Sequence, residues 1–369
     1  MTAATIPPLP APIHALDFAP LAALVEGMSP SSSPRPALSV EPMPGGASTR
    51  RYFRVALPAG KTAVAMFVPD GAKAEEVHKE GAPRAPRWPF LEVRDLLASR
   101  GVDVPAVYGD ASEHGWLLLE DLSDDTLAAH LARHPSAKTA LYTRAVRDLA
   151  RAQSRLAHLP QDSIVATRAF DEDLLRWEIH HFREWGLEAR GVTLGKGDRA
   201  LFDAIADRLA RRIASWPRGF THRDYQSRNL MVRGPLRPDG DKGLVWIDFQ
   251  DALLGPRVYD LVALLNDSYQ EFTREFVEAR LDEYGSEAKL DADARAMLGR
   301  EFDLVTVQRK LKDAGRFVFI DRVKKNASFL PFVVPTVRKV ASSLARLAGE
   351  DADMRALAEI LHRVLPTEA

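Results

Sequence analysis

Apolar and polar positions along this chain change their period twice. Near the start, Leu16 to Met28 (LDFAPLAALVEGM) spaces its apolar residues for one face of a short helix. From Leu38 the period becomes two: LSVEPM, RYFRVAL and TAVAMFV predict three strands joined by short Gly- and Pro-bearing turns, a small antiparallel sheet. Pro89 to Val102 (PFLEVRDLLASRGV) returns to helical spacing and is closed by Gly101, and GWLLLEDLSDDTL reads as a buried strand with a polar exit. Past Thr126 helical spacing dominates, over Lys138 to Leu156, Asp171 to Trp185, Lys196 to Ala214, and again from Val258 to the end. Two short strands interrupt it, around Asn229 to Val232 and Gly243 to Ile247, on either side of the turn RGPLRPDGDK.

Strands first and helices afterwards, with one β insertion among the helices, describe an α+β protein of two lobes, and a cleft between lobes is the expected ligand site. The chain divides into a Pro-rich extension over 1–37, which ends in the linker SPSSSPRPA, a sheet lobe over 38–122 and a helical lobe over 123–369. Lys73 to Trp88 is charged and broken by prolines, and reads as a loop. No internal repeat is visible.

A length of 369 residues suits two such units, and 46% hydrophobic with 27% charged residues excludes disorder throughout. Basic and acidic residues balance at 50 to 51, so no overall field draws the protein to nucleic acid or to an anionic membrane, and neither is expected as a partner. The absence of cysteine removes disulfides, thiolate nucleophiles and zinc-thiolate sites. With no apolar run long enough for a membrane span and no signal-like start, the expected location is the cytoplasm, and the expected state a monomer.

The polar residues of the β insertion carry the chemistry. In THRDYQSRNLMV, Asp224 and Asn229 stand five residues apart, and Asp248, in IDFQD, follows the strand GLVWI nineteen residues later. Three oxygen-bearing side chains at the edges of one hairpin can converge, as Mg2+ and a transferring phosphoryl group require. Asn229 and Asp248 supply hard oxygen ligands, which leaves Asp224 to accept the proton of a substrate hydroxyl. Asp and Asn also cap turns, but here both halves of the pattern occur in order, each beside a predicted strand. His180 and His181 are adjacent on a helix and point about 100° apart, which disfavours a metal site there.

FTHRDYQSRNLMV, VWIDFQDALLGPRVYDLVALLND and LLLEDLSDDTL resemble the aminoglycoside phosphotransferase family of small-molecule kinases. GGASTRRYFRV and VQRKLKDAGRFVFIDRVKKNASFLPFV narrow the likeness to sugar kinases of cell-wall recycling, which phosphorylate the anomeric hydroxyl of N-acetylmuramate and N-acetylglucosamine. It runs from about Leu38 to about Arg346. The resemblance implies a bilobal protein-kinase-like fold, ATP and Mg2+ as cofactors, and a small-molecule sugar as the other partner. A kinase for an aminoglycoside, another hexosamine or an amino alcohol stays open, as does a silent nucleotide-binding pseudokinase.

By this resemblance Asp224, the catalytic base, and Arg228 are the catalytic residues, and Asn229 and Asp248 hold Mg2+. Glu120, Asp121 and Leu122 form the hinge whose backbone meets adenine. Gly45 and Gly46 open the turn over the phosphates, where Ser48, Thr49, Arg50 and Arg51 offer donors and charge. His222 and Asp260 are read as structural supports of the catalytic loop. Kinases generally carry a Lys on the third strand, and here Met66 occupies about that position, so the positive charge must come from Arg50, Arg51 or Arg54. The acceptor side is assigned to Gln250, Asp251, Asp267, Gln308 and Lys312. A carboxylate on the acceptor calls for an Arg or Lys, and a polycationic acceptor for acids.

Overall fold

The computed structural model describes residues 16–28, 38–44, 50–69, 87–234 and 243–368. Gly45, Gly46, Ser48 and Thr49, most of the Lys73 to Trp88 loop, and residues 235–242 of the predicted turn lie outside the described residues.

The alternating segments form β1 (Val40–Pro42), β2 (Arg51–Ala56) and β3 (Thr62–Phe67). With β4 (Val107–Ala111) and β5 (Trp116–Glu120) they build a five-stranded antiparallel sheet in the order β1-β2-β3-β5-β4. Alternation gives this sheet two faces. On one, Phe53, Val55, Ala63, Ala65, Trp116 and Leu118 pack with Leu21 and Val25 of α1 (Ala19–Gly27). Burying Leu21 and Val25 contributes about 1.5–3 kcal/mol each, and Trp116 Nε1 donates to Asp17 O at 2.9 Å. The amphipathic stretch in the Pro-rich start is thus part of the sheet's own core. On the other face, Met66, Leu117 and Leu119 meet Phe90, Leu91, Val93 and Leu97 of α2 (Pro89–Ser99). Proline begins α2, where a missing N–H costs nothing, and Gly101 at φ +70° turns the chain away after it.

After Glu120 the chain enters the helical lobe through α3 (Leu127–Arg133), α4 (Lys138–Arg155), α5 (Glu172–His181) and α6 (Lys196–Ala214). Four short strands follow, β6 (Arg218–Thr221), β7 (Leu230–Arg233), β8 (Gly243–Trp246) and β9 (Leu253–Pro256), with β7 paired to β8 and β6 to β9, both antiparallel. Then come α7 (Tyr259–Leu265), α8 (Arg274–Glu287), α9 (Ala292–Lys324), α10 (Val333–Leu347) and α11 (Ala352–Val364). The helix expected over Asp171 to Trp185 is α-helical to His181 and then widens into a π-helical turn over Phe182–Leu187.

The 33 residues of α9 extend about 50 Å. Asp291 caps its start by accepting from Ala294 N at 2.8 Å. Its middle is buried on every side, and where it crosses α5 the backbones nearly touch. A Cβ on Gly315 would stand 2.8 Å from His181 O and 2.9 Å from Phe182 Cα. Strands β4, β6 and β9 are absent from the sequence-based expectation because they are four or five residues long and interrupted by Gly or Pro. They exist through long-range pairing rather than local pattern. Among the described residues no helix is long and apolar enough to cross a membrane.

Candidate active site

The loop from His222 to Asn229 joins β6 to β7, and its conformation is imposed by buried partners. Arg223 has φ +79°, a left-handed backbone that costs a non-glycine residue about 1–3 kcal/mol. Asp260, at the start of α7, fixes it: its carboxylate accepts from His222 N at 2.6 Å and Arg223 N at 2.9 Å. Arg309 of α9 donates to Arg223 O at 2.8 Å. Burial drives the Asp260 carboxyl up to about 7, against the pull of those N–H groups and of Arg309. His222 is fully buried, its Nδ1 accepts from Asp224 N at 3.3 Å, and burial pushes its pKa down to about 4. His222 is a neutral support of the loop, and the Asp260 carboxylate anchors it. Tyr225 donates to Ala145 O at 2.9 Å and ties the loop to α4.

On this scaffold the three oxygen-bearing residues converge. Asn229 Nδ2 donates to Asp224 O at 2.9 Å and stands 3.5 Å from Asp248 Oδ2, while Ile247 N donates to Asn229 O at 3.1 Å across the β7–β8 pair. Asp248 is itself left-handed, at φ +63°. Gln250 Nε2 bridges Asp248 Oδ1 at 2.8 Å and Asp251 Oδ2 at 3.0 Å. From the sheet lobe Arg50 reaches across, with Nη1 3.2 Å from Asp248 Oδ1 and Nη2 3.7 Å from Asp251 Oδ2. Desolvation raises the Asp248 carboxyl above its ordinary value; Arg50 and the Gln250 hydrogen bond oppose this, and the charges of Asp224 and Asp251 add to it. For Asp224 the balance reverses. Desolvation pushes its carboxyl up, but Arg309, Lys312 and Arg223 outweigh it and hold it below the usual carboxylate range.

Arg50 also stands beside the position where a third-strand Lys is missing. Met66 is completely buried and lines the same crevice as Arg50, Phe90, Gln250 and Asp251. The acid on α2, Glu92, accepts from Ile164 N at 2.5 Å instead of pairing with a strand Lys. Arg54 is spent at the lobe junction, on Asp121 at 2.9 Å and Asp124 at 2.9 Å. Arg51 alternates onto the face of the sheet that carries Phe53 and Val55, away from Asp248, so the expectation that it joins the phosphate site is corrected by strand register.

In the stretch expected as the hinge, Glu120 N donates to Ala106 O, and its carboxylate accepts from Arg233 at 2.6 Å through Oε1 and from Ala106 N at 3.1 Å through Oε2. The Asp121 side chain is held by Arg54 and Ser123 N, and Leu122 is half-buried. The side-chain oxygens of Glu120 and Asp121 are thus committed within the protein.

Two residues expected at the acceptor side are elsewhere. Asp267 is fully buried, with Oδ2 accepting from Ser227 N at 2.9 Å and from its hydroxyl, and Oδ1 from Tyr269 N at 2.9 Å, so it braces the loop from behind. Gln308 is fully buried and donates to Glu178 Oε2 at 2.7 Å. The stretch Gln308 to Phe317, which carries the acceptor-side candidates Gln308 and Lys312, lies inside the lobe. Lys310 Nζ lies 2.9 Å from Asp313 Oδ2 and Lys312 Nζ 3.0 Å from Asp313 Oδ1. Arg228, expected as a catalytic residue, is exposed and stacks over Tyr269 at 3.5 Å, and among the described residues it pairs with neither Asp224 nor Asp248. Arg309, in contact with Arg223 O and Asp224 Oδ1, is the residue of this site that spacing alone did not single out. The available signal is FDLVTVQRKLKDAG (302–315), charges set in a helix otherwise apolar around its whole circumference.

The model of the phosphotransferase enzyme family matches residues 39–298 of this chain. The chain belongs to that family. This phosphotransferase is 33% identical over 322 residues to the N-acetylmuramate/N-acetylglucosamine kinase of Pseudomonas aeruginosa, covering 84% of this chain and 85% of that protein. It is 30% identical over 314 residues to the protein of the same name from Neisseria meningitidis serogroup B, covering 82% and 85%. Among solved structures, choline kinase from Cryptosporidium parvum superposes with a TM-score of 0.58 at 13% identity, over 93% of this chain and 99% of that one. An aminoglycoside 2'-phosphotransferase solved with GDP gives 0.54 at 14% identity, over 91% and 100%. These structures share the phosphotransferase's α+β, protein-kinase-like fold, with its small antiparallel sheet and mainly helical second lobe.

Proposed function

We propose that this phosphotransferase transfers the terminal phosphoryl group of ATP to the anomeric hydroxyl of N-acetylmuramate or N-acetylglucosamine. The observation that carries the reading is the convergence of Asp224, Asn229 and Asp248 at the lobe junction, on a chain whose relatives over most of its length bear that substrate name.

Asp224 orients the acceptor hydroxyl. The hydroxyl oxygen bonds to the γ-phosphorus, the bond from phosphorus to the bridging oxygen breaks, ADP leaves, and the hydroxyl proton passes to Asp224 and then to solvent. A loose transition state asks little of a base until late, so a carboxylate kept ionised by Arg309 suits positioning better than a strong base would. Asn229 and Asp248 offer the one or two protein oxygens that Mg2+ takes when phosphate and water complete its shell. When bound, Mg2+ supplies charge neutralisation at the β- and γ-phosphates. Arg50, 3.2 Å from Asp248, is the cation for the phosphates in place of the third-strand Lys. The use of ATP agrees with a cytoplasmic location.

Phosphorus NMR of the product formed from ATP and N-acetylmuramate tests the reading. The expected outcome is ADP together with a sugar phosphate whose phosphorus couples to the anomeric proton. Coupling to any other ring proton sinks the anomeric assignment, and no turnover with either sugar sinks the substrate.

A further inference from the structure

The loop between Asp224 and Asn229 carries a cation that phosphoryl transfer leaves unused. Arg228 is exposed, and its guanidinium lies 3.5 Å from the centre of the Tyr269 ring and 5.5 Å from that of Phe332. Tyr269 and Phe332 meet edge to face at 4.7 Å, and Phe317 stacks on Phe329 at 5.8 Å beneath them. This shelf is tied to the catalytic loop. Asp267 grips Ser227 N through one oxygen and Tyr269 N through the other. Lys339 Nζ bonds Asp267 O at 2.5 Å and Gln270 O at 2.6 Å, and Lys310 Nζ bonds Ser268 Oγ at 3.3 Å.

Stacking occupies the flat face of a guanidinium and leaves its edge, a planar fork of N–H donors, pointing outward. Among the described residues no carboxylate lies within ion-pair distance of Arg228. The neighbouring cations are committed: Arg309 to Asp224 at 3.3 Å, Lys310 and Lys312 to Asp313 at 2.9 and 3.0 Å. Burial raises the Tyr269 hydroxyl, Arg228 opposes this, and the charges of Asp313, Asp267 and Asp224 add to it.

We infer that Arg228, held flat on Tyr269, is the acceptor-specificity residue: its fork binds a carboxylate on the sugar, and the enzyme therefore prefers an acidic N-acetylhexosamine to a neutral one. This rests on the sugar-kinase reading above. Tyr269 is the positioning residue. A fork aligned with a planar carboxylate makes two parallel charge-assisted hydrogen bonds, whereas a freely rotating Arg pays side-chain entropy to do so.

The test is steady-state kinetics of wild type, Arg228→Gln, Arg228→Lys and Tyr269→Leu on N-acetylmuramate, its carboxyl methyl ester and N-acetylglucosamine. Wild type should show KM about 10- to 100-fold lower for the free acid than for the ester. In Arg228→Gln the ratio of kcat/KM for N-acetylmuramate over N-acetylglucosamine should collapse by that factor, through KM and not kcat. Arg228→Lys should recover part of it, and Tyr269→Leu should lose part. Acid and ester used equally by wild type, or an equal loss on all three acceptors in Arg228→Gln, overturns the inference while the sugar-kinase reading stands. A wild-type enzyme inactive on all three removes that reading and this inference together. Arg228 is exposed, so the unfolding midpoint of its variants should match wild type, and Tyr269→Leu is checked the same way.

Discussion

Arg309 places a guanidinium that is 2% exposed within 3.3 Å of the half-open carboxylate of Asp224, eighty-five residues away in sequence. The same guanidinium donates to Arg223 O at 2.8 Å and lies over the Tyr259 ring at 4.7 Å. One buried cation therefore contacts both the strained backbone at Arg223 and the carboxylate of Asp224.

Arg309→Lys keeps the charge and loses the fork that spans Arg223 and Asp224. Turnover should fall about 10- to 100-fold, as a misplaced catalytic group does, with KM for ATP near normal. Arg309→Met also removes the counter-charge that holds the Asp224 carboxyl low. Its protonation then occurs at higher pH, so the acid limb of the pH–rate profile should move upward. An unmoved limb in Arg309→Met would remove the electrostatic role.

Asp224 and Asp248 should separate by assay. Asp224→Asn should cut turnover about 10²- to 10⁴-fold while calorimetric titration finds nucleotide affinity near wild type. Asp248→Ala should weaken Mg2+-dependent nucleotide binding by at least the roughly 10- to 100-fold that losing even an outer-shell metal partner costs. Nucleotide affinity indifferent to Mg2+ in wild type and variant alike would contradict the metal assignment.

Arg50, just ahead of β2, reaches Asp248 and Asp251 next to Met66. Arg50→Met should raise KM for ATP about tenfold or more, as loss of one charge-assisted contact does, and Arg50→Lys should restore much of it. Arg51→Met, on the far face of the sheet, should leave KM for ATP as it is. The two variants swapping phenotypes would reverse the assignment.

His222 is buried and neutral, with a pKa of about 4 against an ordinary 6.5. The unfolded chain binds the extra proton first, so this group's contribution to stability is complete above about pH 6.5 and is lost as pH falls toward 4, up to about 3 kcal/mol. Denaturant unfolding at pH 7 and pH 4.5 should show a shallower acid loss for His222→Gln than for wild type. Parallel pH dependences would show that His222 titrates freely.

Gly315→Ala places a methyl 2.8 Å from His181 O, between two backbones that cannot part cheaply. The cost should be about 1–3 kcal/mol, read as a lower midpoint in thermal unfolding, with kinetic constants per folded molecule little changed.

The β insertion was legible because its chemistry is local. Asp224, Asn229 and Asp248 sit at fixed offsets beside strands whose own residues pair them, so a spacing in sequence becomes a distance in space. The long helices and the first three strands were legible for the same reason, since period 3.6 and period 2 are properties of neighbours along the chain. Even the helix in the Pro-rich start carried its apolar stripe, although nothing local said that Phe53 and Trp116 would cover it.

What surrounds the site was decided by contacts that skip tens of residues. Asp267 and Gln308 look like surface ligands in sequence, yet packing buries both, one under Ser227 and the other against Glu178. Arg50 and Arg51 are equivalent neighbours until the register of β2 sends them to opposite faces. Arg309 reads as one charge in a basic run, and becomes the partner of Asp224 only when α9 crosses beneath the catalytic loop. A sequence specifies which groups exist and how their neighbours repeat; which of two charges is desolvated depends on the elements stacked around it, and that is settled only by folding.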